Sequence, residues 1–213
     1  MIFSKEQLLL YAVTDDLANP RFSLYEQVES ALSGGATMIQ LRDKTPDDER
    51  VISRAKELVP LCHKYNAALI INDSPYIAAK SGADGVHVGL TDMPVGEIRT
   101  KFGKSLIVGA TAKTVIQAKT AEEQGADYIG VGAVFPSPTK KNAVRITQEQ
   151  LREITASVDI PAVAIGGITA ENSLSLKNCG ISGIAVVSAL FASDDIARSA
   201  ADLKKAAEEL VGK

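Results

Sequence analysis

The chain has 213 residues, 46% of them apolar and 5% aromatic, with no tryptophan; 23 basic against 26 acidic side chains leave a net charge of −3. That apolar content excludes intrinsic disorder, the lack of a basic patch argues against a nucleic-acid partner, and no apolar run approaches the ~18 residues of a membrane span. Two cysteines, Cys62 and Cys179, do not make a disulfide framework, and the opening MIFSKEQLLLYAVTDD lacks the layout of a signal peptide, so a soluble cytoplasmic protein is expected.

Eight β-rich runs follow one another along the chain: 8–15, 37–43, 68–73, 85–89, 106–111, 128–134, 161–167 and 183–188. Helical segments are expected near 24–33, 47–65, 75–81, 94–102, 114–124, 147–157, 170–178 and 194–211. In the fifth of these, Val115, Ala118 and Ala121 share an apolar face and Glu122 turns outward. Strict alternation predicts a parallel sheet covered by helices. With few aromatics, its core must be built from Ala, Val, Ile and Leu. A repeat sharpens this. Gly35-Ala36-Thr37, Gly82-Ala83-Asp84, Gly125-Ala126-Asp127 and Gly180-Ile181-Ser182 each follow a helix and precede an even-numbered strand. The glycine suits a left-handed helix cap. A fourfold pattern fits an α/β fold of the closed (β/α)8 TIM-barrel type, with residues 1–213 as one catalytic domain; an open doubly wound sheet would use the same turn chemistry.

Polar residues collect where the strands end, the face on which barrels build active sites. Gln40, Arg42 and Lys44 are spaced by two, so an extended strand puts them on one face while Leu41 points to the other. Two cations and an amide make an anion site. Asp73 ends the third strand and Asp92 follows the fourth. Neighbouring strands lie roughly 4.8 Å apart, so two such carboxylates can share a hard cation such as Mg²⁺. Equally, Asp73 can cap the helix at Ser74-Pro75 and Asp92 the helix at Pro94. The loop Pro136-Ser137-Pro138-Thr139-Lys140-Lys141 offers hydroxyls and ammoniums for a phosphate, or is a solvated turn. Gly166-Gly167 and Val187-Ser188 end the last two strands, where barrels often bind phosphate through backbone N–H groups. His63 reads as structural, and His87 as a core residue more readily than a site residue.

QLRDK (40–44), INDSP (71–75), GADGVHVG (82–89) with Asp92-Met93-Pro94, GADYIGVGAVFPSPTKK (125–141), VAIGGI (163–168) and AVVSAL (185–190), in that order, resemble the thiamine phosphate synthase family over nearly the whole chain. The resemblance implies a (β/α)8 barrel transferase of thiamine biosynthesis. Such enzymes join hydroxymethylpyrimidine diphosphate to thiazole phosphate and release diphosphate. It implies Gln40, Leu41, Arg42, Asp43, Lys44, Asn72, Thr111 and Lys140 around the pyrimidine diphosphate. It implies Asp73 and Asp92 as Mg²⁺ ligands, and Ser137, Pro138, Thr139, Gly167, Val187 and Ser188 around the thiazole phosphate. It implies that Arg42, Lys44 and Lys140 carry the catalytic charge. The sequence departs from the family at Thr111 (usually Ser), Lys113 (often His), Leu90 (often Gln) and Asn142 (often Asp).

The charges suggest how such a reaction runs. A thiazole nitrogen has no proton to lose, so no general base is required; the difficulty is departure of diphosphate, which a metal and cations ease. A related thiazole tautomerase, or a non-catalytic phosphate sensor on the same barrel, would have little need of the acid pair and its cations. Small-molecule substrates are expected, no nucleic acid or membrane is, and a homo-oligomer is compatible with the sequence.

Overall fold

A computed structural model describes residues 2–15, 19–136 and 144–213. The eight strands are β1 Leu10–Val13, β2 Met38–Leu41, β3 Ala68–Asn72, β4 Gly85–Val88, β5 Ile107–Ala112, β6 Tyr128–Gly132, β7 Ala162–Ile165 and β8 Gly183–Val186. All neighbours are parallel, and β8 pairs with β1 to close the barrel. The helices between them are α1 Leu24–Ser33, α2 Asp48–Lys64, α3 Pro75–Ser81, α4 Val95–Phe102, α5 Val115–Glu123, α6 Gln148–Thr155, α7 Ala170–Ser173, α8 Ser188–Phe191 and α9 Ile196–Val211. Short 3-10 turns stand at Lys5–Leu8 and Leu174–Leu176. Among the described residues, no helix is long and apolar enough to cross a membrane.

The period of two divides each strand between two cores. Ile39, Leu41, Leu69, Ile71, Val86, Val108, Ile129 and Ala164 face the helices and meet their apolar stripes. Tyr11, Met38, Ile70, Ile107, Tyr128 and Val163 point inward and fill the barrel, so the interior is packed rather than open. Truncating one of the outer group, as in Ile39→Ala, removes a fully buried side chain and costs about 2–5 kcal/mol. Phe3 stacks on Tyr128 with ring centroids 5.7 Å apart and closes the amino end.

The fourfold repeat has a structural meaning. Its glycines all have positive φ: Gly35 at 107°, Gly82 at 76°, Gly125 at 91° and Gly180 at 71°. The residue two places on then clasps the preceding odd strand. Leu10 N donates to Thr37 Oγ1 (2.9 Å), Leu69 N to Asp84 Oδ2 (2.9 Å) and Val108 N to Asp127 Oδ2 (2.7 Å). The backbone N–H groups of Thr37, Asp84, Asp127 and Ser182 return bonds of 2.8–2.9 Å to Leu10, Leu69, Val108 and Ala162. The two aspartates are backed by cations or a histidine: Arg99 Nη2 lies 2.6 Å from Asp127, and His63 Nε2 lies 3.0 Å from Asp84. This gives His63 its structural role at the end of the barrel remote from the strand tips. One helix expectation is corrected. Glu122 does not simply face solvent; its Oε1 accepts the N–H groups of Asp159 (2.7 Å) and Ile160 (3.0 Å) and ties α5 to the segment entering β7.

Candidate active site

A cavity of about 180 Å³ opens at the carboxyl ends of the strands. For scale, roughly 150 Å³ accommodates a benzene ring in an engineered protein cavity. Gln40 lines it from β2 and Arg42 from just past that strand, Asn72 from β3, His87 from β4, Thr111 from β5 and Lys113 from just past its end. Gly167, Val187 and Ser188 line the other side. The even positions of β2 thus face the mouth, as their spacing requires. Lys44 reaches the rim, where its Nζ donates to Asp73 Oδ2 at 2.5 Å; its side chain is 56% exposed.

Two residues of the expected set turn away from the cavity. Leu41 is 1% exposed and packs among the outer core residues. The Asp43 side chain is buried against α2, where Arg54 Nη1 donates to Oδ2 at 2.6 Å and Thr45 N donates to Oδ1 at 2.9 Å. Asp43 therefore anchors the loop that carries Arg42 and Lys44. Ser137, Pro138, Thr139, Lys140, Lys141 and Asn142 lie outside the described residues.

The competing explanation for the two acids was helix capping, and here the hydrogen bonds are specific. The N-cap of α3 is Ser74, whose side chain accepts from Ile77 N. The N-cap of α4 is Pro94, with no side-chain cap. Asp73 and Asp92 cap neither helix. Asp92 Oδ2 accepts Gly89 N at 2.7 Å and closes the turn after β4, while Asp73 stands in the left-handed region at φ 68° beside Lys44. Burial raises the Asp73 carboxyl, but Lys44 and hydrogen bonds from Asp92 and Asn72 outweigh it and hold the group below the usual range. Burial also raises Asp92; the neighbouring Asp73 pushes it further, and the Gly89 N–H does not reverse this. The two acids thus shift in opposite directions, Asp92 being the one more easily protonated. Two neighbouring carboxylates with oxygen donors only, with Lys44 against one of them and Arg42 on the cavity wall, suit a hard cation and an anionic ligand together. Among the described residues no third His, Cys, Asp or Glu joins them. Such a cation would complete its shell with water or ligand oxygens, as Mg²⁺ commonly does.

Gly166 and Gly167 are explained by more than room for an anion. Their φ values are 104° and 64°. A Cβ on Gly166 would lie 2.5 Å from Ala133 Cβ, and one on Gly167 would lie 2.1 Å from the carbonyl oxygen of Pro136. The loop leaving β6 packs directly on this turn. Cys62 is buried, and burial, with the Asp84 carboxylate adding to it, pushes its thiol up to about 12, so it is no nucleophile at neutral pH.

Comparison with known proteins places this barrel. The sequence profile described as thiamine monophosphate synthase matches residues 10–190. The chain belongs to the thiamine monophosphate synthase family. It is 46% identical over 200 residues to a thiamine-phosphate synthase of Ruminiclostridium cellulolyticum, covering 94% of this chain and 95% of that one. A thiamine-phosphate synthase of Methanobrevibacter smithii is 45% identical over 183 residues, covering 86% and 87%. The solved structure of a thiamine phosphate pyrophosphorylase from Pyrococcus furiosus superposes with a TM-score of 0.90 at 38% identity, covering 98% and 99%. As a member of the thiamine monophosphate synthase family the chain is a transferase of thiamine biosynthesis, and its barrel is the family's fold.

Sequence spacing had not singled out His87, Lys113 or Tyr11 as cavity residues, though all three line it. The signal was present. His87 lies two residues before Gly89, which also lines the cavity, so a period of two puts both on the same face of that segment.

Proposed function

We propose that the chain joins 4-amino-2-methyl-5-hydroxymethylpyrimidine diphosphate to 4-methyl-5-(2-phosphoethyl)thiazole, giving thiamine phosphate and diphosphate, with residues 1–213 acting as one catalytic domain. The observation that carries this reading is that neither Asp73 nor Asp92 caps a helix: Asp73 lines the cavity with Arg42 and pairs with Lys44, and Asp92 neighbours Asp73 from the turn after β4. A tautomerase or a sensor has no use for such a pair.

In this reading Asp73 and Asp92 hold Mg²⁺, which when bound neutralises charge on the diphosphate. Arg42, Lys44 and Lys140 grip the diphosphate oxygens and stabilise the charge that grows there as the C–O bond breaks. Gln40, Asn72 and Thr111 orient the aminopyrimidine, whose electron-rich ring supports a methylene cation. Gly167, Val187 and Ser188, with Ser137, Pro138 and Thr139, hold the thiazole phosphate so that its nitrogen faces that carbon. The thiazole nitrogen carries no proton, so no side chain acts as a base. The walls exclude water, which would capture the cation. Diphosphate release from the two substrates, assayed with and without magnesium, tests the proposal. No release in magnesium from folded protein would overturn it.

A further inference from the structure

A chain of hydrogen bonds crosses the floor of the cavity, and the chemistry above uses its two ends but none of the residues between them. Gln40 Nε2 donates to Tyr11 Oη at 2.6 Å. The hydroxyls of Tyr11 and Tyr128 lie 2.9 Å apart. Tyr128 Oη lies 3.2 Å from His87 Nδ1, and His87 Nε2 lies 3.1 Å from Thr111 Oγ1. The chain therefore starts on β2, passes through β1, β6 and β4, and ends on β5. Its two terminal groups are polar side chains of the cavity wall.

The barrel leaves space for this chain at two glycines. Neither Gly109 nor Gly130 has a positive φ, so neither is required by its backbone. A Cβ on Gly109 would stand 2.1 Å from Tyr128 Cζ, 2.4 Å from Tyr128 Oη and 2.6 Å from His87 Nδ1. A Cβ on Gly130 would stand 3.0 Å from His87 Cε1. Any larger residue at 109 would part the phenol from the imidazole.

Each hydroxyl has a single proton, and so has an imidazole in its neutral form, so with His87 neutral the links cannot be set independently. The chain runs either from Gln40 to Thr111 or the reverse. The Gln40 amide nitrogen on Tyr11 selects the first direction. Tyr11 then donates to Tyr128, and Tyr128 donates to His87 Nδ1. His87 Nε2–H donates to Thr111 Oγ1, which leaves the threonine proton free. Burial pushes both phenols above their ordinary range, so both keep the protons the chain requires.

We propose that Tyr11, Tyr128 and His87 are positioning residues whose one-way hydrogen-bond chain turns the Gln40 carbonyl oxygen and the Thr111 hydroxyl proton toward the cavity. The floor then offers an acceptor at one end and a donor at the other. This rests on the reading above, in which the pyrimidine lies on this floor. An aminopyrimidine matches the pattern, with an exocyclic amine to give and a ring nitrogen to receive. The 4-oxo analogue reverses that edge and leaves buried polar groups unpaired, which discriminates strongly.

Two measurements test it. ¹⁵N chemical shifts of His87 in the ligand-free protein should report the neutral Nε2–H tautomer. In competition, the wild-type protein should prefer the 4-amino over the 4-oxo pyrimidine diphosphate by more than about 100-fold. Tyr128→Phe should mix the tautomers and lower that preference at least tenfold, with KM for the thiazole phosphate unchanged. Tyr11→Phe, which breaks the chain one link earlier, should do the same and stands in if Tyr128→Phe does not fold. An Nδ1–H tautomer in the wild type, or an undiminished preference in a folded variant, overturns the proposal. An Nε2–H signature in a protein that couples neither pyrimidine overturns the functional reading and leaves the chain's direction supported.

Discussion

Replacing Asp73 by asparagine and by alanine separates charge from backbone. Asp73 occupies φ 68°, a region asparagine tolerates and alanine enters at a cost of about 1–2 kcal/mol. The ion pair with Lys44 is partly exposed, at 56% and 36% for the two side chains, so its loss costs at most about 1 kcal/mol. Since Ser74 supplies the α3 cap, neither substitution removes a cap. Alanine should thus destabilise by roughly 1–3 kcal/mol, or some 2–12 °C in Tm for a chain of this size. Asparagine should stay within about 1 kcal/mol. Activity should not follow stability: both variants should lose at least about 100-fold in kcat/KM, because both remove one electrostatic stabiliser of the diphosphate. Thermal denaturation read beside the diphosphate-release assay measures both quantities. Near-wild activity in Asp73→Asn would refute the metal role, and a Tm loss from asparagine as large as from alanine would refute the backbone argument.

Three further outcomes are expected. Excess chelator should abolish diphosphate release, and added Mg²⁺ should restore it; full activity in chelator would mean that Asp73 and Asp92 hold no required cation. Lys140→Ala should lower kcat about 100-fold while Lys141→Ala is mild, since the proposed reading gives only the first of the pair a role at the diphosphate; steady-state kinetics on both variants decides, and equal small effects would refute that role. Asp127→Ala should destabilise by about 2–3 kcal/mol through loss of the bonds from Arg99 and Val108 N, with both KM values unchanged; denaturation and kinetics together check it.

The strand pattern was legible because period two and period 3.6 were clean: seven of the eight strands fall within their expected runs, and β5 passes its run by one residue, Ala112. The inward direction of Gln40 and Arg42 followed from the same count. What sequence spacing left open was hydrogen-bond competition. Whether Asp73 or Ser74 caps α3 depends on which oxygen reaches Ile77 N, and that is a matter of a few ångströms. Leu41 and Asp43 entered the site through their neighbours in QLRDK, yet one packs in the outer core and the other is neutralised by Arg54. His87 was hidden for the opposite reason: a histidine in a short apolar strand looks like core until its partners on β5 and β6 are in place. The short α8 was not foreseen: it begins at Ser188, where the expected eighth strand ends, and four residues are too few to show a helical period.

The clasps formed by Thr37, Asp84 and Asp127 bear on how the barrel comes apart. Each fastens an odd strand to the even strand after it, so β1–β2, β3–β4 and β5–β6 are riveted in pairs by side chains, and β7–β8 is joined at the same place through Ser182 N. A ring has no edge from which to fray, and it must part between its best-fastened segments. The grain of this barrel is therefore the quarter, two strands with their helices, and the slowest-exchanging amides at the amino rim should be those of Leu10, Leu69 and Val108.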